Sequence, residues 1–136
     1  MSGQPLSIFQ VAGRAMSAQL VRMNTTASNL ANAGGISTTE GGAYRTMKPV
    51  FRTSFDQASG MSTVDVQQVV TAGEAPTKRY DPGNPMADKD GNVFEAAVDE
   101  TRELVDMMET SRSYQNNVEV MNTAKGLIID TLKLGK

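Results

Sequence analysis

The chain of 136 residues contains no cysteine, no histidine and no tryptophan, and only 5% of it is aromatic. Without cysteine there is no disulfide, no thiolate nucleophile and no thiolate metal site. Without histidine, the usual general base near neutral pH and the commonest metal ligand are both missing. Any catalysis would rest on carboxylates, Lys, Tyr or Ser. No run of about 18 apolar residues occurs, so no transmembrane helix is expected. The first residues lack a basic stretch followed by a continuous apolar one, so no cleavable signal peptide is expected either. Net charge is −2 with both signs mixed, which does not advertise nucleic acid or an anionic membrane as partner.

What is present is unevenly laid out. Positions 1–33 carry Arg14 and Arg22 and no acid, whereas Asp99, Glu100, Glu103, Asp106 and Glu109 crowd together later. Near the N-terminus Leu6, Phe9, Gly13, Met16, Leu20, Met23, Ala27 and Leu30 alternate three and four apart. That spacing predicts a helix turning one face toward a partner helix. Pro5 suits its first turn and Gly34 the left-handed residue past its end. Such a helix of roughly 29 residues would span about 43 Å.

Near the C-terminus, Leu104, Met107, Ser111, Tyr114, Val118, Met121, Lys125, Ile128 and Leu132 repeat the pattern, with Lys125 discordant. Asn92 and Glu95 resemble a capping box. Gly135 offers a stop, and Lys133 and Lys136 suit the negative end of a helix.

Residues 34–91 are rich in glycine, threonine and proline, and their period shifts toward two. Met47, Phe51 and Phe55 share one strand face if 44–55 are extended. Val64, Val66 and Val70 give a second strand face, with polar Gln68 breaking it. YDPGNP (80–85) is turn chemistry and DKDGN (88–92) holds an Asp-Gly hairpin signal. The expected fold is α+β. Long N- and C-terminal helices, in 1–34 and 93–136, pair as an antiparallel coiled-coil-like bundle around a β-hairpin-rich insertion at 35–92.

DKDGN does not make a calcium loop. Placing Asp88 first puts Val93 where the invariant glycine belongs, and placing Gly91 sixth puts Ala97 at the glutamate position. Glu100, Glu103 and Asp106 lack the histidine that a carboxylate di-metal helix needs, so they read as a solvated acidic face at a helix N-terminus. Ser111 and Tyr114 have no adjacent base, and Tyr114 is expected to lay its ring in the seam. The nine methionines serve either as an adaptable surface or as gap-fillers. Asn24, Asn29 and Asn32, among small residues in NTTASNLANAGG (24–35), are either a fraying polar face or an amide strip that admits a close neighbour. Apolar residues such as Ile8, Val21, Val105, Met108 and Ile129 exceed what one partner helix can cover, which asks for further protein contacts.

AMSAQLVRMNTTASNLANAGG (15–35) resembles the N-terminal signature of flagellar rod, hook and hook-associated proteins. GGAYRTMKPVF (41–51), YDPGNPMADKDGNV (80–93) and SRSYQNNVEVMNTAKGLIIDTLKLGK (111–136) are similar to the proximal-rod subunits among them. In place of that family's proline-containing lead-in, EAAVD (95–99) is expected to let the C-terminal helix begin early.

The resemblance implies a non-enzymatic structural subunit that needs no cofactor and binds no nucleic acid or small-molecule substrate. Such subunits assemble into a helical tubular polymer, a periplasmic driveshaft that transmits torque and surrounds an export channel. The implied partners are other rod proteins, the rod-base adaptor, the membrane ring and the flagellar export gate, with export through the type III route. The helix-pairing and assembly surface would comprise Phe9, Met16, Leu20, Met23, Asn24, Ala27, Asn29, Leu30 and Asn32 with Leu104, Met107, Tyr114, Val118, Met121, Ile128 and Leu132. The competing expectation is a soluble helical adaptor or secretion chaperone that binds an amphipathic partner helix.

Overall fold

The computed structural model describes residues 7–135; Pro5, Leu6 and Lys136 lie outside the described residues. Two helices, α1 (Ile8–Ala31) and α2 (Glu100–Leu134), flank five strands: β1 (Ile36–Ser37), β2 (Met47–Asp56), β3 (Met61–Thr71), β4 (Thr77–Tyr80) and β5 (Asn92–Glu95). The expected α+β fold is therefore observed. The helices run antiparallel, because Arg22 and Thr26 reach Asp106 while Asn29, further along α1, reaches Glu103, which comes earlier in α2.

Both helix starts differ from the sequence reading. Helix α1 opens with a capping box in which the Ser7 hydroxyl accepts from the Gln10 N–H and the Gln10 side chain accepts from the Ser7 N–H. Asn92 and Glu95 cap nothing, since they bound strand β5. Helix α2 begins later than expected, not earlier: Asp99 is its N-cap and accepts from the Arg102 N–H at 3.1 Å. The AAV segment ahead of it stays extended because the Ala96 N–H donates to Gly35 O, tying it to the end of α1. Gly34 does take the left-handed conformation, at φ 74°, just past α1.

Strands β2 and β3 form a two-stranded antiparallel hairpin, and β1, β5 and β4 form a second small sheet in that order. The hairpin register shifts between Val50 and Phe51, leaving Gln67 as an extra residue on β3. That bulge corrects one expectation. Val64 and Val66 lie with Phe51 and Thr53 on one face, but Val70 pairs with Lys48 on the other, and Val69 takes its place. Met47, Phe51 and Phe55 do share a face, and it points outward, with Phe55 well exposed. The inward face packs on α1 through polar groups. Arg14 donates to the buried Thr63 hydroxyl and pairs with Asp65 at 3.2 Å.

Eleven residues join β4 to β5 by a folded loop rather than a tight hairpin. The Asp88 carboxylate accepts from the Asp90 and Asn92 N–H groups and shapes the DKDGN turn. Gly91 sits there at φ 80°, where a Cβ would also come within 2.9 Å of the Tyr80 ring.

Candidate functional site

The contact between the helices is where structure and spacing disagree most. On α1 the buried residues are Ala12, Ala18, Thr25, Thr26 and Asn29, small or polar throughout. On α2 they are Glu103, Thr110 and Ala124, with half-buried Met107, Tyr114, Asn117 and Met121 completing the four-three alternation. The seam on α2 therefore keeps Met107, Tyr114 and Met121 but replaces 104, 111, 118 and 125 by 103, 110, 117 and 124. One residue turns the helix by about 100°. Lys125 is no longer discordant, because Ala124 holds that place.

The seam on α1 is rotated further. Leu20, Asn24 and Ala27 are exposed, as is Asn32 at the C-cap, while Phe9, Met16, Met23 and Leu30 are half-buried. Of the three asparagines only Asn29 faces inward. On α2, Leu104, Ile128 and Leu132 are exposed and Val118 is half-buried. Spacing found a large apolar stripe on each helix, but the helices leave those stripes half-buried or exposed and pair most closely through small and polar residues.

Burying threonine and charge requires partners. Thr25 and Thr110 supply their own, donating to the carbonyls four residues back, Val21 O at 2.8 Å and Asp106 O at 2.6 Å. Arg22 grips Asp106 through Nε at 3.3 Å and through Nη2, a forked contact in the geometry best suited to a carboxylate. The Thr26 hydroxyl donates to the same carboxylate at 2.9 Å. Partial burial of Asp106 on its own would raise its pKa. The hydrogen bonds from Arg22 and Thr26, with the charges of Arg22 and Lys48, outweigh that and hold it below the ordinary 3.8. It stays ionised, with its oxygens committed, so it is placed for structure rather than for proton transfer.

Asn29 is the second fixed point, and it is only 1% exposed. Its Nδ2 donates to Met47 O at 2.9 Å and to Glu103 Oε2 at 3.0 Å. Its Oδ1 accepts from the Tyr44 hydroxyl at 2.6 Å and from the Met47 N–H at 3.0 Å. Both donors and both acceptor sites of the amide are thus occupied. Ala72 N donates to Thr46 O, so the backbone groups of Met47 point away from β3. The Asn29 amide occupies the edge where another strand would otherwise dock, and Pro49, two residues on, offers no N–H there.

The acidic residues of the first α2 turns thus need correction. Glu100 is exposed as a solvated face would be, but Glu103 is buried on Asn29 and Asp106 is locked by Arg22. Their inward position was hidden because nothing in a one-dimensional pattern marks Asn29 and Arg22 as their partners. Among the described residues, no group of three or more His, Cys, Asp or Glu converges in a way that could hold a metal ion.

Two family models match the chain, the flagella basal body rod protein over residues 9–35 and the flagellar basal body rod FlgEFG protein C-terminal over 90–134. The first ends at the turn after α1 and the second takes in the whole of α2. Flagellar basal-body rod protein FlgC of Salmonella typhimurium is 45% identical over 133 residues, covering 96% of this chain and 98% of its own. The chain belongs to the FlgC family. FlgC of Escherichia coli is 44% identical and that of Yersinia enterocolitica 42%, each with 96% of this chain and 98% of the relative covered. It is accordingly a structural subunit of the flagellar basal-body rod, and it assembles with other basal-body components. For a FlgC-family subunit, the functional site is a set of contact surfaces. The polar seam fixes the helix pair, and it leaves large apolar side chains such as Leu104 and Leu132 exposed.

Proposed function

We propose that the chain is a non-enzymatic subunit of the proximal rod, delivered by the flagellum's own export route to the periplasmic level of the basal body. There its helix pairs pack side by side in a helical tube around an export channel and transmit torque. Its partners in this reading are other rod proteins, the rod-base adaptor, the membrane ring and the export gate. The terminal helices form the axial core, and the insertion of residues 35–92, extended by the remainder of β5, contacts adjacent subunits.

The observation that carries the reading is the outward placement of large apolar side chains on both helices. Leu20, Leu104, Val105, Met108, Leu127 and Leu132 are all exposed, the last by 66%. Large apolar side chains left exposed in this number point to protein contact. Helix α2 has 35 residues against 24 for α1, and residues 125–134 are exposed throughout. The predicted interface residues then divide by task. Asn29, Met107, Tyr114 and Met121 pair the helices of one subunit. Leu20, Asn24, Ala27, Asn32, Leu104, Ile128 and Leu132 meet other subunits, and half-buried Phe9, Met16, Met23, Leu30 and Val118 border both surfaces.

Ala27→Leu tests this division. Ala27 is exposed, so the variant monomer should keep the wild-type circular dichroism and unfolding midpoint. In a strain lacking its own copy, the added bulk should overpack the contact between subunits. Few or no basal bodies should be visible by electron microscopy, and swimming should be lost. Normal rods and wild-type swimming would remove this surface from the assembly interface.

A further inference from the structure

Asn29 bonds simultaneously to an α2 side chain and to the backbone of β2, and this double engagement has a mechanical meaning. The hairpin is seated on α1 at two points. At its base, Met47 gives both backbone groups to Asn29. Midway along, Arg14 holds Thr63 and Asp65. Glu103 makes no hydrogen bond to either strand, yet its carboxylate holds the same Nδ2 that donates to Met47 O. Tyr44, just ahead of β2, completes the set by donating to Oδ1 while its oxygen lies 3.2 Å from the Ser28 hydroxyl.

We infer that Asn29 is a positioning residue that couples the pairing of α1 with α2 to the seating of the hairpin base. With Glu103 in place, the amide plane is fixed and presents Oδ1 and Nδ2 to Met47 in strand-like geometry. When α2 shifts away, a buried N–H is left without its acceptor, and the amide turns to recover one, which abandons Met47. The coupling is reciprocal, as any linkage between two binding equilibria must be. Releasing the hairpin base frees Asn29 to leave Glu103, and the first turns of α2 loosen. A neighbour that grips α2 from outside therefore changes how firmly the hairpin is held, although Glu103 reaches the hairpin base only through Asn29.

Residue-resolved amide hydrogen exchange on the purified full chain reads this directly. Glu103→Ala should speed exchange of the Met47 amide by at least about tenfold, because the hydrogen bond closing over it is no longer held. The Thr63 amide, seated through Arg14, should change by less than about twofold. Asn29→Ala should release Met47 to the same degree, and adding Glu103→Ala to it should give no further release. Glu103→Gln, which retains a carbonyl acceptor, should behave as wild type.

If Glu103→Ala proves too unstable to fold, Tyr44→Phe reads the coupling from the other side. It removes one of the bonds that hold Oδ1 and should speed exchange in the first turns of α2. The inference is overturned if Met47 keeps its protection when Glu103 is truncated. It is overturned equally if Thr63 opens as much as Met47, or if the Asn29 and Glu103 effects simply multiply.

Discussion

Removing the Asp106 carboxylate is the sharpest test of a helix pair held by directional bonds. Asp106→Ala deletes the forked contact with Arg22 and the hydrogen bond from Thr26. The Asp106 and Arg22 side chains are 32% and 24% exposed, so water replaces the lost bonds only in part. Hydrogen bonds to charged groups contribute about 1.5–3 kcal/mol each in such settings, and truncating one partner leaves the other charge poorly solvated. Because Glu109 remains 3.6 Å from Arg22 and takes up some of that charge, the expected cost is about 2–3 kcal/mol rather than the sum of the bonds.

Urea unfolding followed by far-UV circular dichroism at neutral pH measures that cost. The matched control is Glu109→Ala, which removes a longer ion pair whose acid is 67% exposed and should cost no more than about 0.5 kcal/mol. Acidity supplies a second axis. Asp106 titrates below 3.8 in the folded chain, so its contribution is complete above the unfolded value and is lost as pH falls through the lower folded one. The stability gap between wild type and Asp106→Asn should therefore stay constant from neutral pH to about pH 5 and narrow below pH 4. An Asp106→Ala variant no weaker than Glu109→Ala, or a gap that ignores acid, would refute this account of the seam.

Two glycine substitutions should move stability in opposite directions. A Cβ at Gly73 would lie 2.6 Å from the Thr46 Cβ and 2.7 Å from the Thr46 nitrogen, so Gly73→Ala must push apart the backbone beside the base of the hairpin and should cost about 1–3 kcal/mol in urea unfolding. Gly126, in the interior of α2, has nothing within 4 Å of an added Cβ. Gly126→Ala should therefore stabilise the monomer by about 0.5–1 kcal/mol through helix propensity, raising the thermal midpoint in differential scanning calorimetry.

The two long helices were legible because each carries a three-four repeat that is mostly apolar, and the end of α1 because Gly34 stands where a left-handed residue is required. The insertion was legible as β-rich from its glycine, threonine and alternating residues. What the pattern could not give was the direction each stripe faces. Hydrophobic periodicity assumes that the largest apolar residues meet the nearest partner, and Leu20 and Leu104 break that rule because Arg22, Asn29, Glu103 and Asp106 claim the contact between the helices. Met107, Tyr114 and Met121 were found because they lie on the line where the outward stripe and the true seam overlap. Asn29 was recognised only as one of three similar amides, and its four bonds depend on Met47 and Glu103, which are distant in sequence. The start of α2 was misplaced because Asp99, a good N-cap, competed with an apparent Asn92–Glu95 box whose residues sheet pairing claims instead. The bulge at Gln67 left no local mark beyond two adjacent glutamines.

A seam of leucines tolerates slippage, because one heptad of apolar knobs fits the next set of holes nearly as well. The polar seam of this chain cannot slide that way. Moving α2 by one turn, about 5.4 Å, would set Arg22 against Thr110 and Asn29 against Met107, leaving the arginine without its carboxylate and one buried N–H of the amide without its acceptor. Each subunit is thus cut to a single length between its β insertion and the far end of α2. That fixed length sets one axial offset between the hairpin base, held through Asn29, and the exposed end of α2.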